Sequence, residues 1–308
     1  MKELRGYLTV PEDCQGGVLA IGNFDGVHLG HRAVLGAALD LAKAHDLPVG
    51  VMFFSPHPRQ FFSPDTPLFM LTSPAQKQAL FDEMGVSFSV EMTFDQSLAA
   101  MSAAAFVEEV LVKGLDVAHV VIGYDFFFGA KRSGSPEVMR VLGGAHGFGV
   151  EVVSPSGEGG LIYSSTAVRD ALEAGQVRRA GEILGRNWQV EGTVTTGAGR
   201  GEGLGFPTAN IALPLGCHLQ HGIYAAFVHV KGARYMAAAY FGKRPSFDND
   251  WPVLEVFLFD FNGDLYDEAI AVEFVDFVRD DMKFDNLDDL KQQMDDDCQV
   301  IKSLLQKV

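Results

Sequence analysis

A pair of histidines lies in a glycine-rich segment whose residue types suit phosphate binding. Residues 22–31 read Gly-Asn-Phe-Asp-Gly-Val-His-Leu-Gly-His, directly after a short apolar run and before a helical pattern. Glycines let the backbone approach a ligand closely, and a helix N-terminus offers free N–H groups to a phosphate. Because His28 and His31 are three residues apart, both imidazoles can face one phosphate and stabilise its charge during nucleotidyl transfer. The further nucleotide-binding candidates are Gly22, Phe24, Asp25 and Gly30, and the alternatives are a tight turn with incidental histidines or a His/His/Asp metal site.

A second segment combines hydroxyl groups with a cation at a predicted helix start. Ser164, Ser165 and Thr166 precede Arg169. Hydroxyls at such a position normally cap a helix, which is the simplest interpretation. Arg169, one turn on, adds a forked cation that suits a β- or γ-phosphate. Together with the His28/His31 segment, this pattern predicts the second half of one ATP site.

A third glycine-rich stretch precedes two residues with hard oxygen atoms. Residues 197–203 are rich in glycine, and residues 205–210 read Gly-Phe-Pro-Thr-Ala-Asn. Such a loop exposes N–H groups to a polyphosphate, and its nucleotide-binding candidates are Gly199, Arg200 and Gly205. On an extended strand Thr208 and Asn210 share one face, where a hydroxyl and an amide oxygen suit Mg²⁺ bound to ATP. A turn capped by the two side chains is the alternative.

Glu255 is a candidate proton acceptor. It lies inside the apolar run 253–259, where a charge is costly unless it is used or paired. A primary alcohol that attacks a γ-phosphate needs positioning, charge neutralisation and a nearby proton acceptor, and a carboxylate often serves. The alternative interpretation is an outward-facing residue of an edge strand.

The elements that position these residues change in character along the chain. The chain is 47% hydrophobic and 21% charged, which is typical of a folded protein. Its length of 308 residues predicts two domains. In the first part, apolar runs alternate with amphipathic patterns, which predicts a Rossmann-like α/β domain that binds ligands at the carboxyl ends of its parallel strands. The predicted strands are 18–21, 49–54, 120–122 and 150–153, and the predicted helices are 30–45, 74–84, 102–113 and 135–145.

After residue 186 the pattern becomes strand-like, with Gly, Pro, Asn and Asp between the runs. This predicts an antiparallel β-barrel or sandwich closed by one C-terminal helix. We therefore place the first domain at residues 1–186 and the second at 187–308. The predicted strands are 188–196, 222–231, 234–241, 253–261 and 269–278, and the predicted helix is 285–306, capped by Asp285 or Asn286.

The composition limits the partners of the protein. Lys and Arg number 24 against 40 Asp and Glu, a net charge of −16, which argues against nucleic-acid and anionic-membrane binding. The three cysteines form no Cys-x-x-Cys pair, which fits a reducing compartment. The N-terminus lacks the apolar region of a signal peptide, and no run approaches ~18 apolar residues. We therefore expect a cytoplasmic protein, and a homo-oligomer is left open.

The first two segments resemble the adenylyltransferase domain of the prokaryotic bifunctional riboflavin kinase/FAD synthetase family. The resemblance rests on Gly-x-Phe-Asp-Gly-Val-His-x-Gly-His and a later Ser-Ser-Thr-x-x-Arg. The intermediate segments 55–58, Leu71-Thr72 before a helix, and 123–129 agree with it. It implies that His28 and His31 act on the ATP phosphates, and that the two intermediate loops border the FMN isoalloxazine. The implied flavin-binding residues are Pro56, Pro58, Asp125, Phe126 and Phe128, whereas Phe127 stands where the family usually has Arg.

Gly-Phe-Pro-Thr-Ala-Asn resembles the flavokinase signature of the same family, so the resemblance covers nearly the whole chain. It implies that Thr208 and Asn210 hold magnesium-ATP and that Glu255 takes the proton from the riboflavin 5′-hydroxyl. Arg279 is implied to lie beside the flavin. The chain departs from the family pattern at Glu202 in the phosphate loop, at Tyr240 and Phe241, at Ser246, and at Phe257 where His is frequent.

These observations together predict a bifunctional enzyme of FAD biosynthesis. ATP with Mg²⁺ would phosphorylate riboflavin to FMN in the second domain and adenylylate FMN to FAD, with release of pyrophosphate, in the first. FMN and FAD are then substrate and product. The alternatives are an FMN adenylyltransferase with an impaired kinase domain and a non-catalytic flavin-binding regulator.

Overall fold

The computed structural model describes residues 1–195, 206–213, 216–243 and 252–307. The chain divides into two compact units. The first comprises Met1–Leu68 and Thr72–Ser164, and the second comprises Phe69–Leu71 and Ser165–Val308. The predicted domain boundary at 186/187 stays a prediction.

A six-stranded sheet forms the centre of the first unit. Its strands are β1 (Lys2–Arg5), β2 (Val18–Ile21), β3 (Val49–Ser55), β4 (Phe88–Thr93), β5 (His119–Gly123) and β6 (Gly149–Val153). The strand order is β1-β4-β3-β2-β5-β6, and all neighbours run parallel. Two short strands, β7 (Gly157–Glu158) and β8 (Leu161–Ile162), form a separate antiparallel hairpin.

The helices of the first unit begin mostly at side chains that cap their N-termini. They are α1 (Leu29–His45), α2 (Pro58–Phe62), α3 (Pro74–Glu83), α4 (Gln96–Ala100), α5 (Ala103–Ala105) and α6 (Pro136–His146). Ser73 and Gln76 form a complete capping box at α3, and Ser135 caps α6. The predicted helices are confirmed, although the third consists of α5 and a π-helix at Phe106–Gly114.

The sheet is buried on both faces, which explains why its central strands are continuously apolar. Leu19 and Ile21 of β2 join one hydrophobic cluster, and Val18 and Ala20 join the other. All four predicted strands are present. The sequence pattern missed β1, which is a mostly charged edge strand, and β4, in which Ser89 and Glu91 interrupt the apolar run.

The strand order places two loops at the position where such sheets bind ligands. The chain runs from β2 to β3 on one side of β2, while β5 pairs with its other side, so the order reverses between β2 and β5. Ligands of open α/β sheets bind in the crevice outside the carboxyl ends of the strands at such a point. The loops that follow β2 and β5 begin at residues 22 and 124.

The described residues of the second unit form a closed antiparallel barrel and three helices. Two helices, α7 (Ser165–Glu173) and α8 (Val177–Leu184), precede the barrel. Its strands are β9 (Trp188–Thr195), β10 (Ala209–Ile211), β11 (Gly222–Val230), β12 (Ala233–Gly242), β13 (Val253–Leu258) and β14 (Ala269–Asp280). The barrel order is β10-β13-β12-β11-β14-β9. A barrel, rather than the alternative sandwich, is therefore formed.

The predicted C-terminal helix is present as α9 (Leu287–Leu305). The Asn286 side chain accepts a hydrogen bond from the Asp289 N–H at 2.8 Å, so Asn286 is the cap. Ile301 and Leu305 are buried with Phe227 and Phe259 of the barrel, while Leu287 is 67% exposed. The apolar contact of α9 therefore lies in its C-terminal half. In the part of the chain that the structure describes, no helix is both long and apolar enough to cross a membrane.

A buried carboxylate on β14 makes the stability of the second unit depend on pH. Glu273 accepts hydrogen bonds from Asn187 at 2.8 Å and Arg234 at 3.1 Å, and its other oxygen lies 2.6 Å from His229 Nε2. Burial raises the pKa of Glu273, but the hydrogen bonds and the Arg234 charge outweigh it and hold this pKa below the ordinary 4.5. Stabilisation by this carboxylate is therefore complete above about pH 4.5 and is lost as the pH falls below it.

The variant Glu273→Gln is expected to lower the Tm of the second unit most at neutral pH. At that pH the wild-type carboxylate is ionised, and the variant lacks its stabilising interactions. As the pH falls toward about 3, the Tm difference from the wild type should shrink. Thermal melts between pH 7 and 3 measure this. Glu268→Gln removes an exposed carboxylate that pairs with Lys231, and it should keep the wild-type profile. A Tm difference that does not change with pH would contradict the assignment.

Candidate active sites

The loop after β2 is held in a strained, buried conformation. Phe24 and Val27 have positive φ angles of 51° and 41°, which non-glycine residues rarely adopt. Phe24 is 1% exposed, and its ring packs edge-on against His31 and Phe81. A Cβ atom on Gly22 would lie 3.2 Å from the Phe24 ring, so the glycine makes room for it. Backbone strain of this kind clusters at binding and catalytic sites.

Asp25 ties the loop to the segment before α3. Its Oδ1 accepts hydrogen bonds from both the N–H and the hydroxyl of Thr72, each at 3.3 Å, and the Gly26 N–H donates to the Thr72 hydroxyl at 3.0 Å. Asp25 is 1% exposed. The geometry gives Asp25 a role in holding the loop, with Thr72 as its partner.

His28 and His31 are brought together at the start of α1. His28 is the N-cap of the helix, and its Nδ1 accepts a hydrogen bond from the His31 N–H at 3.2 Å. The two rings stack with their centroids 3.6 Å apart. Burial lowers the pKa of His31 well below its ordinary 6.5, and the charges of His28 and Lys77 lower it further. His31 is therefore neutral at physiological pH.

The alternative metal site at these histidines is not supported. Asp25 is engaged with Thr72, as described above. Among the residues that the structure describes, no three His, Cys, Asp or Glu side chains form a group that could hold a metal ion.

At Gly30 the chain just before the Ser164–Arg169 segment lies close to the His28/His31 segment. A Cβ atom on Gly30 would lie 3.0 Å from the Tyr163 carbonyl oxygen and 3.1 Å from the His28 ring. The close approach needs glycine, and it places the residue before Ser164 beside the histidine pair.

The remainder of this segment belongs to the second unit. Ser165 and Thr166 are the first residues of α7, and the Arg169 Nε donates to the Phe69 carbonyl at 2.6 Å. Their participation in the ATP site stays a prediction.

The predicted flavin loops follow β3 and β5, the two strands that flank β2 in the sheet of the first unit. Pro56 and Pro58 come after β3, and Pro58 is the first residue of α2. Asp125 is exposed after β5. Phe126 is half-buried and stacks on Phe128, which is 7% exposed and packs against Phe106. Phe128 is therefore a core residue of this loop, and the flavin-binding roles stay predictions.

A cation lies beside Phe127, the aromatic residue at the position where the resemblance implies an Arg. Its side chain is 46% exposed, and the Arg132 guanidinium lies 4.5 Å from the ring centroid. Lys131 and Arg132 both have positive φ angles, 55° and 57°. A positive charge is thus present at this loop even though the position that usually carries Arg is aromatic.

Several candidate residues of the barrel lie in one row of residues that are paired across neighbouring strands. The row follows the register Arg279 with Ile223, Ile223 with Tyr240, Tyr240 with Glu255, and Glu255 with Asn210. Directly opposed residues in neighbouring strands point to the same face of a sheet. Leu254 and Val256, on either side of Glu255, are fully buried inside the barrel. Glu255 and Asn210 therefore share the outer face.

Glu255 and Thr208 are in contact. The Thr208 hydroxyl donates to Glu255 Oε2 at 3.5 Å. The β13 strand is paired on both sides, with β12 and β10, so the alternative of an edge strand is wrong although Glu255 does face outward. A hydroxyl, an amide and a carboxylate thus lie together on the barrel surface.

Arg279 forms a partly buried ion pair. Its Nε and Nη2 donate to both Asp297 oxygens of α9 at 2.7–3.1 Å, and the two side chains are 18% and 7% exposed. The pair attaches α9 to β14 at the end of the Glu255 row. A flavin contact of Arg279 stays a prediction.

Several candidates lie outside the described residues. They are Gly199, Arg200, Gly205, Glu202 and Ser246.

Comparison with known proteins matches both parts of the chain. A family model described as FAD synthetase matches residues 10–167, and one described as riboflavin kinase matches residues 184–305. The bifunctional riboflavin kinase/FMN adenylyltransferase of Pseudomonas fluorescens is 37% identical over 305 residues, 99% of this chain and 98% of that protein. The enzyme of the same name from Escherichia coli K12 is 37% identical, over 96% of this chain and 95% of its own.

A solved structure is also similar over almost the whole chain. It is the crystal structure of a Streptococcus pneumoniae protein named macrolide-efflux protein, with a TM-score of 0.87 and 29% identity. The match covers 98% of this chain and 99% of that one. On the matched segments, the full-length relatives and the two folds, the chain belongs to the bifunctional riboflavin kinase/FMN adenylyltransferase family.

Proposed function

We propose that this chain makes FAD from riboflavin in two ATP-dependent steps. The barrel unit phosphorylates riboflavin to FMN, and the sheet unit adenylylates FMN to FAD with release of pyrophosphate. The observation that carries the proposal is that one chain contains both matched family segments. The candidate residues of each segment support it, because they cluster at the sheet edge and on the barrel face.

In the kinase step, Glu255 is the proposed general base. The riboflavin 5′-oxygen attacks the γ-phosphorus of ATP, its proton passes to the Glu255 carboxylate, and ADP leaves. The contact with Thr208 and the position opposite Asn210 fit a site in which base and phosphate-binding groups are adjacent. Thr208 and Asn210 would hold Mg²⁺, since the donor set on this face consists of oxygen atoms. The ion would neutralise phosphate charge when bound.

In the transferase step, the protein orients its substrates and stabilises charge. A phosphate oxygen of FMN attacks the α-phosphorus of ATP, and pyrophosphate leaves. FMN is already ionised, so no general base is required. We propose that the N–H groups at the start of α1 and the His28/His31 pair receive the phosphates, with Arg169 as a third contact; the helix start and the stacked rings support this role.

The alternative of an impaired kinase rests on the departures at Glu202, Tyr240 and Phe241, of which Glu202 lies outside the described residues. Tyr240 lies directly opposite Glu255 and donates a hydrogen bond to Asp281 at 3.1 Å. A large side chain therefore lies beside the proposed base. The impaired-kinase alternative predicts that the protein makes FAD from FMN but little or none from riboflavin.

An end-point assay tests these proposals. Purified protein is incubated with ATP, Mg²⁺ and either riboflavin or FMN, and the three flavins are resolved by chromatography. We expect FAD from both substrates, with transient FMN from riboflavin. FAD from FMN alone would establish the impaired-kinase alternative. No product from either would overturn both enzyme proposals, and flavin fluorescence quenching would then test the flavin-binding regulator.

We also propose a cytoplasmic location for the enzyme. Its substrates, ATP and flavins, and its unpaired cysteines support this proposal. Fractionation of cells expressing the protein would test it, because recovery with the membranes would contradict the proposal.

A further inference from the structure

Lys77 is a buried cation next to the phosphate-binding loop. It lies on α3 and is 3% exposed. Among the described residues, it is the one Lys or Arg that is buried. Burying an ammonium group costs stability unless it is paired or used, and an apolar residue of similar length would fill the space without this cost.

The Lys77 ammonium contacts the loop itself. Its Nζ donates to the Asn23 carbonyl at 3.5 Å and lies 4.7 Å from the centroid of the Phe53 ring. Asn23 lies in the loop between β2 and His28. The loop is therefore held at two points. Lys77 of α3 binds Asn23, and Thr72, just before α3, binds Asp25.

Polar atoms beside this contact are buried and lack hydrogen-bond partners within the described structure. They are Asn23 Oδ1 and His31 Nδ1. Unpaired buried polar atoms are rare in folded proteins and need an explanation, and a binding site that is completed by its ligand provides one. Both atoms belong to the segment that carries the proposed phosphate contacts.

The charges around the ammonium are mixed. Asp25 and Glu91 face Lys77 and favour its charged form, while burial disfavours it and lowers its pKa overall. The Lys77 charge in turn lowers the pKa of His31, as does the charge of His28. The cation thus adds positive potential to the interior below the loop, where screening by water is weak.

We propose that Lys77 is a positioning residue for adenylyl transfer. It fixes the Asn23 end of the loop and provides a buried positive charge beside His31, so that the loop meets the ATP phosphates already organised. The inference rests on the proposed function of this site and adds to it a residue outside the loop. Groups that are organised in advance stabilise charge in the transition state without reorganisation.

The test compares Lys77→Met with Lys43→Met in the full chain. Met preserves length and removes the charge, and Lys43 is an exposed lysine of α1. For Lys77→Met we expect kcat for FMN adenylylation to fall roughly 10- to 100-fold, a loss typical of disturbed positioning. Riboflavin phosphorylation by the same protein should change less than about twofold, because its residues lie in the other unit. Lys43→Met should behave as the wild type in both assays.

Two further measurements separate positioning from a structural role. The Tm of Lys77→Met should stay close to that of the wild type, because the cost of burying the ammonium group and its attraction to Asp25 are lost together. The NMR titration of His31 should shift to higher pH, because a neighbouring positive charge has been removed. A merely steric role would leave the kcat unchanged with the fold intact, because Met fills the same space, whereas the His31 titration reports that the charge itself has been removed.

The outcomes are distinguishable. If the wild type makes no FAD from FMN, the proposed function itself fails. If the wild type is active and Lys77→Met retains its kcat within about twofold, the positioning role alone is overturned. A markedly lower Tm, with the His31 signal lost, would also overturn it, because Lys77 would then be required for folding.

Discussion

Replacing Glu255 by Gln is expected to lower kcat for riboflavin phosphorylation by about 10²–10⁴-fold. Gln has the same size, and its amide oxygen can still accept the hydrogen bond from Thr208, which is 3.5 Å long in the wild type. It cannot take the proton of the attacking alcohol. The loss should therefore appear in kcat, while the KM values for riboflavin and ATP change little. Initial rates with riboflavin as substrate measure it.

The same protein provides an internal control for Glu255→Gln. FAD formation from FMN should stay at the wild-type rate, because none of the proposed transferase residues lies on the barrel strands. Glu268→Gln, which alters an exposed carboxylate of the same unit, should leave both activities unchanged. Wild-type phosphorylation by Glu255→Gln would mean that Glu255 is only an outward-facing strand residue.

Replacing His28 by Asn is expected to lower kcat for FMN adenylylation by about 10²–10³-fold. Asn is a good N-cap residue and can still accept the hydrogen bond from the His31 N–H, so α1 should keep its start. The stacked imidazole, 3.6 Å from that of His31, is lost together with its contribution to phosphate charge. Single-turnover kinetics with FMN and ATP separate this chemical effect from product release.

His45→Asn is the matched control for His28→Asn. His45 is an exposed residue in the last turn of the same helix, and its replacement should not affect either reaction. Riboflavin phosphorylation by His28→Asn should also be normal. If His28→Asn keeps its transferase activity, the histidine serves mainly as the cap of α1, and the charge-stabilising role fails.

Much of the fold followed from local patterns. The run 18–21 predicted β2 because strands buried on both faces of a parallel sheet are continuously apolar. Asn286 was predicted as a cap because its side chain can accept a backbone N–H three residues on. By contrast, β1 and β4 were missed, since their places depend on pairing with β3 and with each other rather than on their own hydrophobicity.

The candidate residues of the barrel illustrate a different limit. The two-residue spacing of Thr208 and Asn210 is enough to predict that both lie on one face of a strand. That Glu255 joins them depends on the register of β13 against β10, and the placement of Arg279 in the same row depends on three further strand pairs. Register between distant strands is set by tertiary packing, so sequence spacing alone cannot specify it.

The sequence by itself determined the types of chemistry, because a glycine-rich loop, two histidines at a helix start and a Thr-x-Asn pair are local features that act through neighbouring residues. Only the tertiary structure decided which distant groups support them. Asp25 bonds to Thr72 at a separation of 47 residues, and Lys77 reaches Asn23 at a separation of 54. Such contacts form when α3 packs beside the loop after β2, and the physical cause is the burial of both in one core.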